Sequence, residues 1–349
     1  MNDTEPYEAR IAALEAKIAT LEGAASKRES VEVFSWSKWA ERYGLIVAWI
    51  LIILILGAFK PVQMFAWNSY ASMFGSNAMV VVLTLALIIP LTTGDFDLSV
   101  AATMGLSSMI IAVLNVQQDV PILGAVIIAL IAGAAIGAVN AFFILYFRVF
   151  SLIVTLGTGY FIAGLILWVS NSGTIAGVSM DLVRAVILTR VFGIPVGFYY
   201  AAALTLVIWY IFQHTTLGRR MLFVGRGREV ARLSGVNVTR VRAGALIASS
   251  TIAAFAGVLY TGMRGVADPS SALAFLLPAF AAAFLGSTAI YPGRFNAIGS
   301  FVAVYFLSTG IMGLNFLGVD SFVQNLFYGG GLVIAVAISQ LIRGRKEMA

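Results

Sequence analysis

Apolar residues in this chain come in long runs, and short polar connections separate them. Ten such runs lie near residues 44–59, 76–92, 98–114, 122–147, 151–169, 196–212, 243–260, 274–290, 297–314 and 321–342. A helix rises about 1.5 Å per residue, so about 20 residues cross the hydrocarbon of a bilayer. The pattern predicts an all-α integral membrane protein of about ten transmembrane helices, with the shorter runs tilted or broken. The N-terminal stretch differs. Some forty polar residues precede the first apolar run, which is not the form of a secretory signal. Within them Tyr7, Ile11, Leu14, Ile18 and Leu21 recur at alternating spacings of three and four, the spacing of a coiled-coil seam. About two heptads of that pattern predict a surface helix, frayed or docked on a partner. Trp36, Trp39 and Tyr43, with Lys38 and Arg42, then read as an interfacial anchor. The predicted organisation is a cytoplasmic segment over 1–43, a transmembrane domain over 44–342 and a basic tail over 343–349.

Composition sharpens the class. The 349 residues are 60% hydrophobic and 11% charged, with a mean hydropathy of +0.95. Soluble domains run at about 45–50% and about 25%. The absence of cysteine excludes disulfides and thiol chemistry, and a single histidine, His214, excludes a His-rich metal centre. His214 itself reads as an interfacial residue. Lys and Arg gather on the cytoplasmic side of a membrane protein. With the N-terminus inside, ten spans place Arg148, the 213–242 loop, Arg294 and the Arg343–Lys346 tail in the cytoplasm. The connections 116–121 and 318–321, placed outside, contain neither Lys nor Arg. Arg184, Arg190 and Arg264 break the pattern, two of them in the longest external segment, where the rule is weaker. This basic charge is accounted for by membrane lipid and topology, and no nucleic-acid partner is expected.

The 213–242 loop holds seven Arg and one Glu, a net charge of +6 equal to that of the whole chain. Topology explains the charge but not the order within it. Arg228 to Ser234 reads as about two helical turns, with Glu229 in the first and Arg232 in the last, as the helix dipole favours. Gly227 permits entry, and Gly235 stands where a left-handed cap would fall. Val230, Ala231 and Leu233 give this helix an apolar side with nothing obvious in the chain to cover it.

Thr216-Leu-Gly-Arg219, Gly225 and Glu229-Val-Ala-Arg-Leu-Ser-Gly-Val-Asn-Val238 resemble the cytoplasmic coupling loop of ABC-transporter permeases of the ribose type. These form the sugar branch of a family shared with branched-chain amino-acid permeases. Asp97-Leu-Ser-Val100 resembles the family's Gly-Gly-x-Asp-Leu-Ser-Val motif, and Ile153-Val-Thr-Leu-Gly-Thr158 its Val-Thr-Leu-Gly-Thr run. Ala281-Ala282, Leu285-Gly-Ser-Thr288 and Asn315-Phe-Leu-Gly318 follow in family order, so the resemblance runs from about residue 45 to the end. Asp95 stands where the family commonly has a second Gly, which predicts a less tight turn before the third span. The resemblance implies a transport subunit of a bacterial inner membrane, with both termini cytoplasmic, importing a sugar or sugar-like solute. It implies a separate cytoplasmic ATPase, which binds ATP and Mg, a solute-binding protein, and a second permease, identical or related. Gly225, Arg228, Glu229, Val230, Ala231, Leu233, Ser234 and Gly235 would then couple to the ATPase. This chain should bind no cofactor or metal of its own. None of its five lysines follows a Gly, so it lacks a P-loop and is not expected to be an enzyme.

Polar groups within the apolar runs are candidates for the solute path. Asp95 and Asp97 lie between two runs, where an ionisable group costs several kcal/mol unless paired or wet. Asp97 either caps the third span, with Ser99 assisting, or lines a hydrated path and accepts sugar hydroxyls. Asn140, Thr155, Thr158 and Gln324 are further candidates, although such residues often serve only interhelical packing. Two rival classes use the same residues differently. An ion-coupled secondary transporter would bind protons or sodium at Asp95 and Asp97, and an intramembrane prenyl transferase would need a second acidic cluster. An ABC permease for an amino acid or nucleoside is the nearer alternative.

Overall fold

The structure, a computed structural model, describes residues 12–20, 36–320 and 322–347. By internal packing the chain divides into residues 1–40 and 41–349. In the first unit, α1 (12–20) is helical with Leu14 and Ile18 exposed. Tyr7, Ile11 and Leu21 of the seam pattern lie outside the described residues.

The second unit is a helical bundle. α2 (Trp36–Phe59) enters it at residue 41, and α3 (Pro61–Met64), α4 (Trp67–Ser76) and α5 (Ala78–Thr92) follow. Next come α6 (Val100–Ala112), prolonged by a π-turn over Val113–Gln117, then α7 (Ile122–Tyr146), α8 (Ser151–Val169) and α9 (Met180–Val183). α10 (Val196–His214), α11 (Thr216–Arg226), α12 (Arg228–Leu233) and α13 (Val238–Arg264) follow, then α14 (Leu276–Gly286), α15 (Ala297–Phe316) and α16 (Phe322–Glu347). Among the described residues seven of these are long and apolar enough to cross a membrane, or eight if α4 and α5, bent by 45°, are taken as one span. The two remaining runs fold into shorter apolar helices. The 274–290 run becomes a 3₁₀ turn (Ala272–Phe275) and then α14, which has 11 residues. That is about 17 Å of α-helix, well short of the hydrocarbon thickness of about 30 Å. Asn296 fixes where it stops: its Nδ2 donates to the Gly286 and Ala289 carbonyls at 3.0 and 3.1 Å, and its Oδ1 accepts the Gly299 N–H at 2.6 Å. One side chain closes α14 and opens α15. In α16 the apolar stretch ends at Ile338.

α5 is buried along its whole length and packs against α10, α13, α14 and α15. α13 also lies against α6 and α7. On α7, Ala125, Ala129, Gly133, Gly137 and Ala141 recur every fourth residue, and all are buried. Such a stripe brings two backbones together where lipid offers no hydrophobic drive and close van der Waals contact must supply it. Phe142, Phe143, Tyr146, Tyr160, Phe161 and Trp168 face outward on α7 and α8, as a lipid-facing surface requires.

Polar contacts sort the connections into two ends. At one, four two-residue strands, β1 (Ile175–Ala176), β2 (Arg190–Val191), β3 (Ile194–Pro195) and β4 (Val266–Ala267), form antiparallel pairs, β1 with β4 and β2 with β3. There Asn115 Oδ1 accepts the Ser179 N–H at 2.8 Å and Trp67 Nε1 donates to the Phe192 carbonyl at 3.2 Å. At the other end the Ile290 N–H meets the Arg42 carbonyl at 2.9 Å, and Arg294 Nη2 donates to Gln213 Oε1 at 3.0 Å. The turn between α5 and α6 and the α11–α12 segment belong to this second end.

Candidate functional site

Past α10 the chain turns sharply into α11, whose N-terminus is capped by Thr215 Oγ1 accepting the Gly218 N–H at 3.2 Å. α11 buries Gly218, Met221 and Val224, one narrow stripe. A Cβ at Gly225 would overlap the Thr92 carbonyl, so a larger residue would push α11 off the end of α5. α12 follows, with Ala231 buried, while Val230 is 58% and Leu233 84% exposed. The apolar side anticipated for this helix is thus divided: Ala231 seats it and the two larger side chains face away. Its C-terminus is a Schellman motif. The Gly235 N–H donates to the Arg232 carbonyl and the Val236 N–H to the Ala231 carbonyl, each at 3.0 Å, and Gly235 has φ +81°. Ser234 Oγ returns to the Val230 carbonyl at 2.9 Å. Glu229 and Arg232 pair at 2.6 Å on the exposed surface. Asn237 then caps α13 by accepting the Arg240 N–H at 3.0 Å.

The same closure ends α5. The Gly94 N–H donates to the Leu91 carbonyl at 3.2 Å and the Asp95 N–H to the Pro90 carbonyl at 3.0 Å, with Gly94 at φ +80°. Gly94 alone carries the left-handed conformation, so Asp95 fits here without loosening the turn, contrary to the expectation from its family position. Asp95 is 1% exposed and fully ion-paired. Arg242 engages it as a fork, Nε to Oδ2 at 2.7 Å and Nη2 to Oδ1 at 2.6 Å. Arg228 Nη2 adds a bond to Oδ1 at 3.1 Å and one to the Gly94 carbonyl at 2.8 Å. Bidentate charge-assisted pairs of this kind are strong and directional. One buried carboxylate therefore ties the α5–α6 turn to the first residue of α12 and the first turns of α13. These groups border an open cleft of about 690 Å³ that Arg148 and Arg232 also line.

Asp97, two residues on, has no cation. It is fully buried, and Oδ1 accepts the Ser99 N–H at 3.1 Å and the Ser99 hydroxyl at 2.6 Å. Oδ2 accepts the Ser249 hydroxyl of α13 at 3.0 Å. Ser99 Oγ in turn accepts from Asn140 Nδ2 of α7 at 2.9 Å. Thr155 Oγ1 of α8 accepts the Leu98 N–H and Ser151 Oγ the Phe96 N–H, both at 3.0 Å. The structure thus gathers Asp97, Asn140 and Thr155 around one turn, where their bonds join α6, α7, α8 and α13. Thr158 is half-buried further along α8. Gln324 is at the opposite end, donating to Asn315 Oδ1 at 2.9 Å. His214 stacks on Tyr210 at a ring separation of 5.3 Å and meets Trp209 edge-on at 5.2 Å.

Arg242 and Ser249 are the site residues that sequence reading missed. The charge of the 213–242 loop was explained completely by topology, so no Arg in it was sought as a partner for a buried acid. The signal was there: Asp95 between two apolar runs demands a cation, and Arg242 stands at the mouth of the 243–260 run.

The family model for the branched-chain amino acid transport system / permease component matches residues 69–336. The D-allose transport system permease protein of Escherichia coli K12 is 28% identical over 317 residues, covering 91% of this chain and 97% of that one. The autoinducer 2 import system permease protein of E. coli K12 is 31% identical over 273 residues, or 76% and 82% of the two chains. Its counterpart from Photorhabdus luminescens is 30% identical over 261 residues, or 73% and 78%. No solved structure matches the chain. With the family model spanning most of the chain, this protein belongs to the branched-chain amino acid transport system permease component family and is a multi-pass membrane permease.

Proposed function

We propose that the chain is the membrane-spanning subunit of an ATP-driven importer for a sugar or sugar-like solute. A separate cytoplasmic ATPase grips α12, a solute-binding protein delivers cargo at the opposite end, and a second permease, identical or related, completes the pathway. The observation that carries this reading is α12 itself. It is a six-residue helix closed by a Schellman motif and tied to the bundle through Arg228 and Asp95, with Val230 and Leu233 exposed. A helix so short has no independent stability, and its outward apolar pair fits a protein groove better than water. ATP-driven closure of that groove would pull α12, and the Asp95 ion pairs would pass the displacement to the α5–α6 turn.

The solute class rests on the relatives, named for D-allose and autoinducer 2 import. Ten passes of the bundle are supported by the two sets of end contacts. Reading α4 with α5 as one pass, and the 3₁₀ turn with α14 as another, each successive pass links opposite ends. That count keeps the 213–242 loop and both termini in the cytoplasm and accords with an inner-membrane location. Ion coupling is disfavoured because both oxygens of Asp95 face guanidinium groups and both oxygens of Asp97 face hydroxyls. The test is retention of the ATPase on purified permease. Truncating an interface anchor typically costs about 2 kcal/mol or more, about thirtyfold in affinity. Leu233→Asp should lose the ATPase by at least that factor. Gly235→Val, which strains the left-handed cap, should do the same. Retention of the ATPase by both variants at wild-type affinity would refute the coupling role.

A further inference from the structure

At the end of the bundle away from Asp95, the bend between α4 and α5 borders an open cleft of about 570 Å³ lined by α4, α15 and α16. Asn68, Ser69 and Ser72 line it from one face of α4, Ser308 and Asn315 from α15, and Tyr328 from α16. Asn68 and Ser72 stand four residues apart, as do Ser72 and Ser76, so helical periodicity rather than chance accumulation sets this polar stripe. No Asp, Glu, Lys, Arg or His lines the cleft.

Within the cleft Ser76 and Asn77 bond back to the Met73 carbonyl at 3.2 and 3.0 Å, and many hydroxyls elsewhere in the bundle are engaged in the same way. Thr84, Thr92, Thr103, Thr205 and Thr309 each donate to the carbonyl four residues earlier. Ser107 and Thr261 bond across helices to Ala254 and Ser108. Among the described residues, the side chains of Asn68, Ser69, Ser72 and Ser308 make no intramolecular hydrogen bond. Asn315 receives Gln324 on Oδ1, which leaves its amide N–H groups free to donate. A lipid-facing stripe would not carry such groups, because hydrocarbon leaves them unsatisfied. Ser250 and Ser300 also lack a partner, but they are buried in the bundle, whereas Asn68 and Ser72 are exposed at the cleft.

The geometry points to this cleft as the site where the translocated solute is held, and to a neutral, polyhydroxylated molecule of monosaccharide size as that solute. This deepens the importer reading above and rests on it. The volume lies within the range of about 300–1,000 Å³ typical of small-molecule pockets. Hydroxyls and amides both donate and accept, so they match a ligand whose every edge does the same. Tyr328 offers a ring face to the C–H side of a sugar and a hydroxyl to its rim. A zwitterionic amino acid would bring a carboxylate and an ammonium into a site with no opposite charge, which is expensive. The cleft therefore selects sugar over amino acid within a family that bears the name of amino acid transport.

The test uses the assembled importer, with its ATPase and loaded binding protein, in proteoliposomes. Labelled D-allose, D-ribose and L-leucine are the probes. Wild type should take up at least one of the sugars and no leucine. A wild-type importer that moves neither sugar overturns both this site and the solute class proposed above. Given sugar uptake, Ser72→Leu and Asn68→Leu should each raise the KM for uptake about tenfold, the loss of one or two hydrogen bonds. Retention of the ATPase on the purified variants checks that they fold. Ser72→Cys, nearly isosteric in a chain with no other cysteine, covers the case in which the leucine variants misfold. A bulky neutral thiol reagent should then block uptake, and saturating sugar should slow its reaction. Wild-type KM in the leucine variants, or full uptake by the modified Ser72→Cys protein, overturns the cleft as the solute site and leaves the importer reading standing.

Discussion

The two ends of the bundle use polar residues in opposite ways. At the α12 end the polar groups are charged and mutually engaged: Asp95 holds Arg242 and Arg228, and Asp97 is enclosed by Ser99 and Ser249. In the α4 cleft they are neutral, and several have no partner among the described residues. Charge serves to hold elements together, because a buried ion is tolerable only when paired. Open neutral groups suit transient recognition, because water can satisfy them until a ligand does. The difference implies a division of labour, with force applied at the ionic end and cargo held at the neutral one.

The comparison breaks first, if it is wrong, at Arg242. Removing Arg242 leaves buried Asp95 with only the single bond from half-exposed Arg228, and breaking a buried pair costs up to about 3–5 kcal/mol. Arg242→Met should therefore lower thermal stability in detergent sharply. The double change Asp95→Asn with Arg242→Met should recover part of the loss, since the buried carboxylate is gone and the charge left on Arg228 is 42% exposed to water. Equal destabilisation by the single and double variants would mean that the pair is not an interacting unit. A smaller effect is expected at Asp97. Asp97→Asn keeps an oxygen for the Ser99 N–H and hydroxyl, and Ser249 can rotate to accept from the new amide. The variant should lose about 1 kcal/mol and keep most of its sugar uptake. Loss of uptake in a stable, ATPase-bound Asp97→Asn protein would show that the charge itself is required and would revive ion coupling. Smallest is Glu229→Gln. Its pair with Arg232 is exposed on both sides, and such pairs contribute about 0–1 kcal/mol. Unfolding of this variant should be indistinguishable from wild type.

Much of the α12 end was legible because its determinants are local. Gly235 as a left-handed cap, the short helix before it and its exposed apolar pair all follow from spacing within ten residues. The ion pairs were not, since Asp95 and Arg242 are 147 positions apart and each has a sufficient local explanation. The apolar runs located the helices well where a helix fills its run, as in α7 and α8. They overestimated α14, where Asn296, itself beyond the run, dictates the stop. The α4 stripe was missed for a related reason. Residues 67–75 are too polar to join an apolar run, so the first half of the bent pass, with Asn68, Ser69 and Ser72, fell outside the predicted spans. Polarity that disqualifies a segment as a span is what qualifies it to line a cleft.

On the proposed mechanism, α12 transmits ATP-driven motion to a bundle that holds its solute elsewhere. The most direct test is ATP turnover in proteoliposomes carrying the assembled importer, measured with and without sugar-loaded binding protein. Leu233→Asp alters only a side chain that is 84% exposed. It should abolish the stimulation by loaded binding protein at every sugar concentration, while the binding protein still docks on the permease. Stimulated turnover at the wild-type rate in Leu233→Asp would contradict this mechanism.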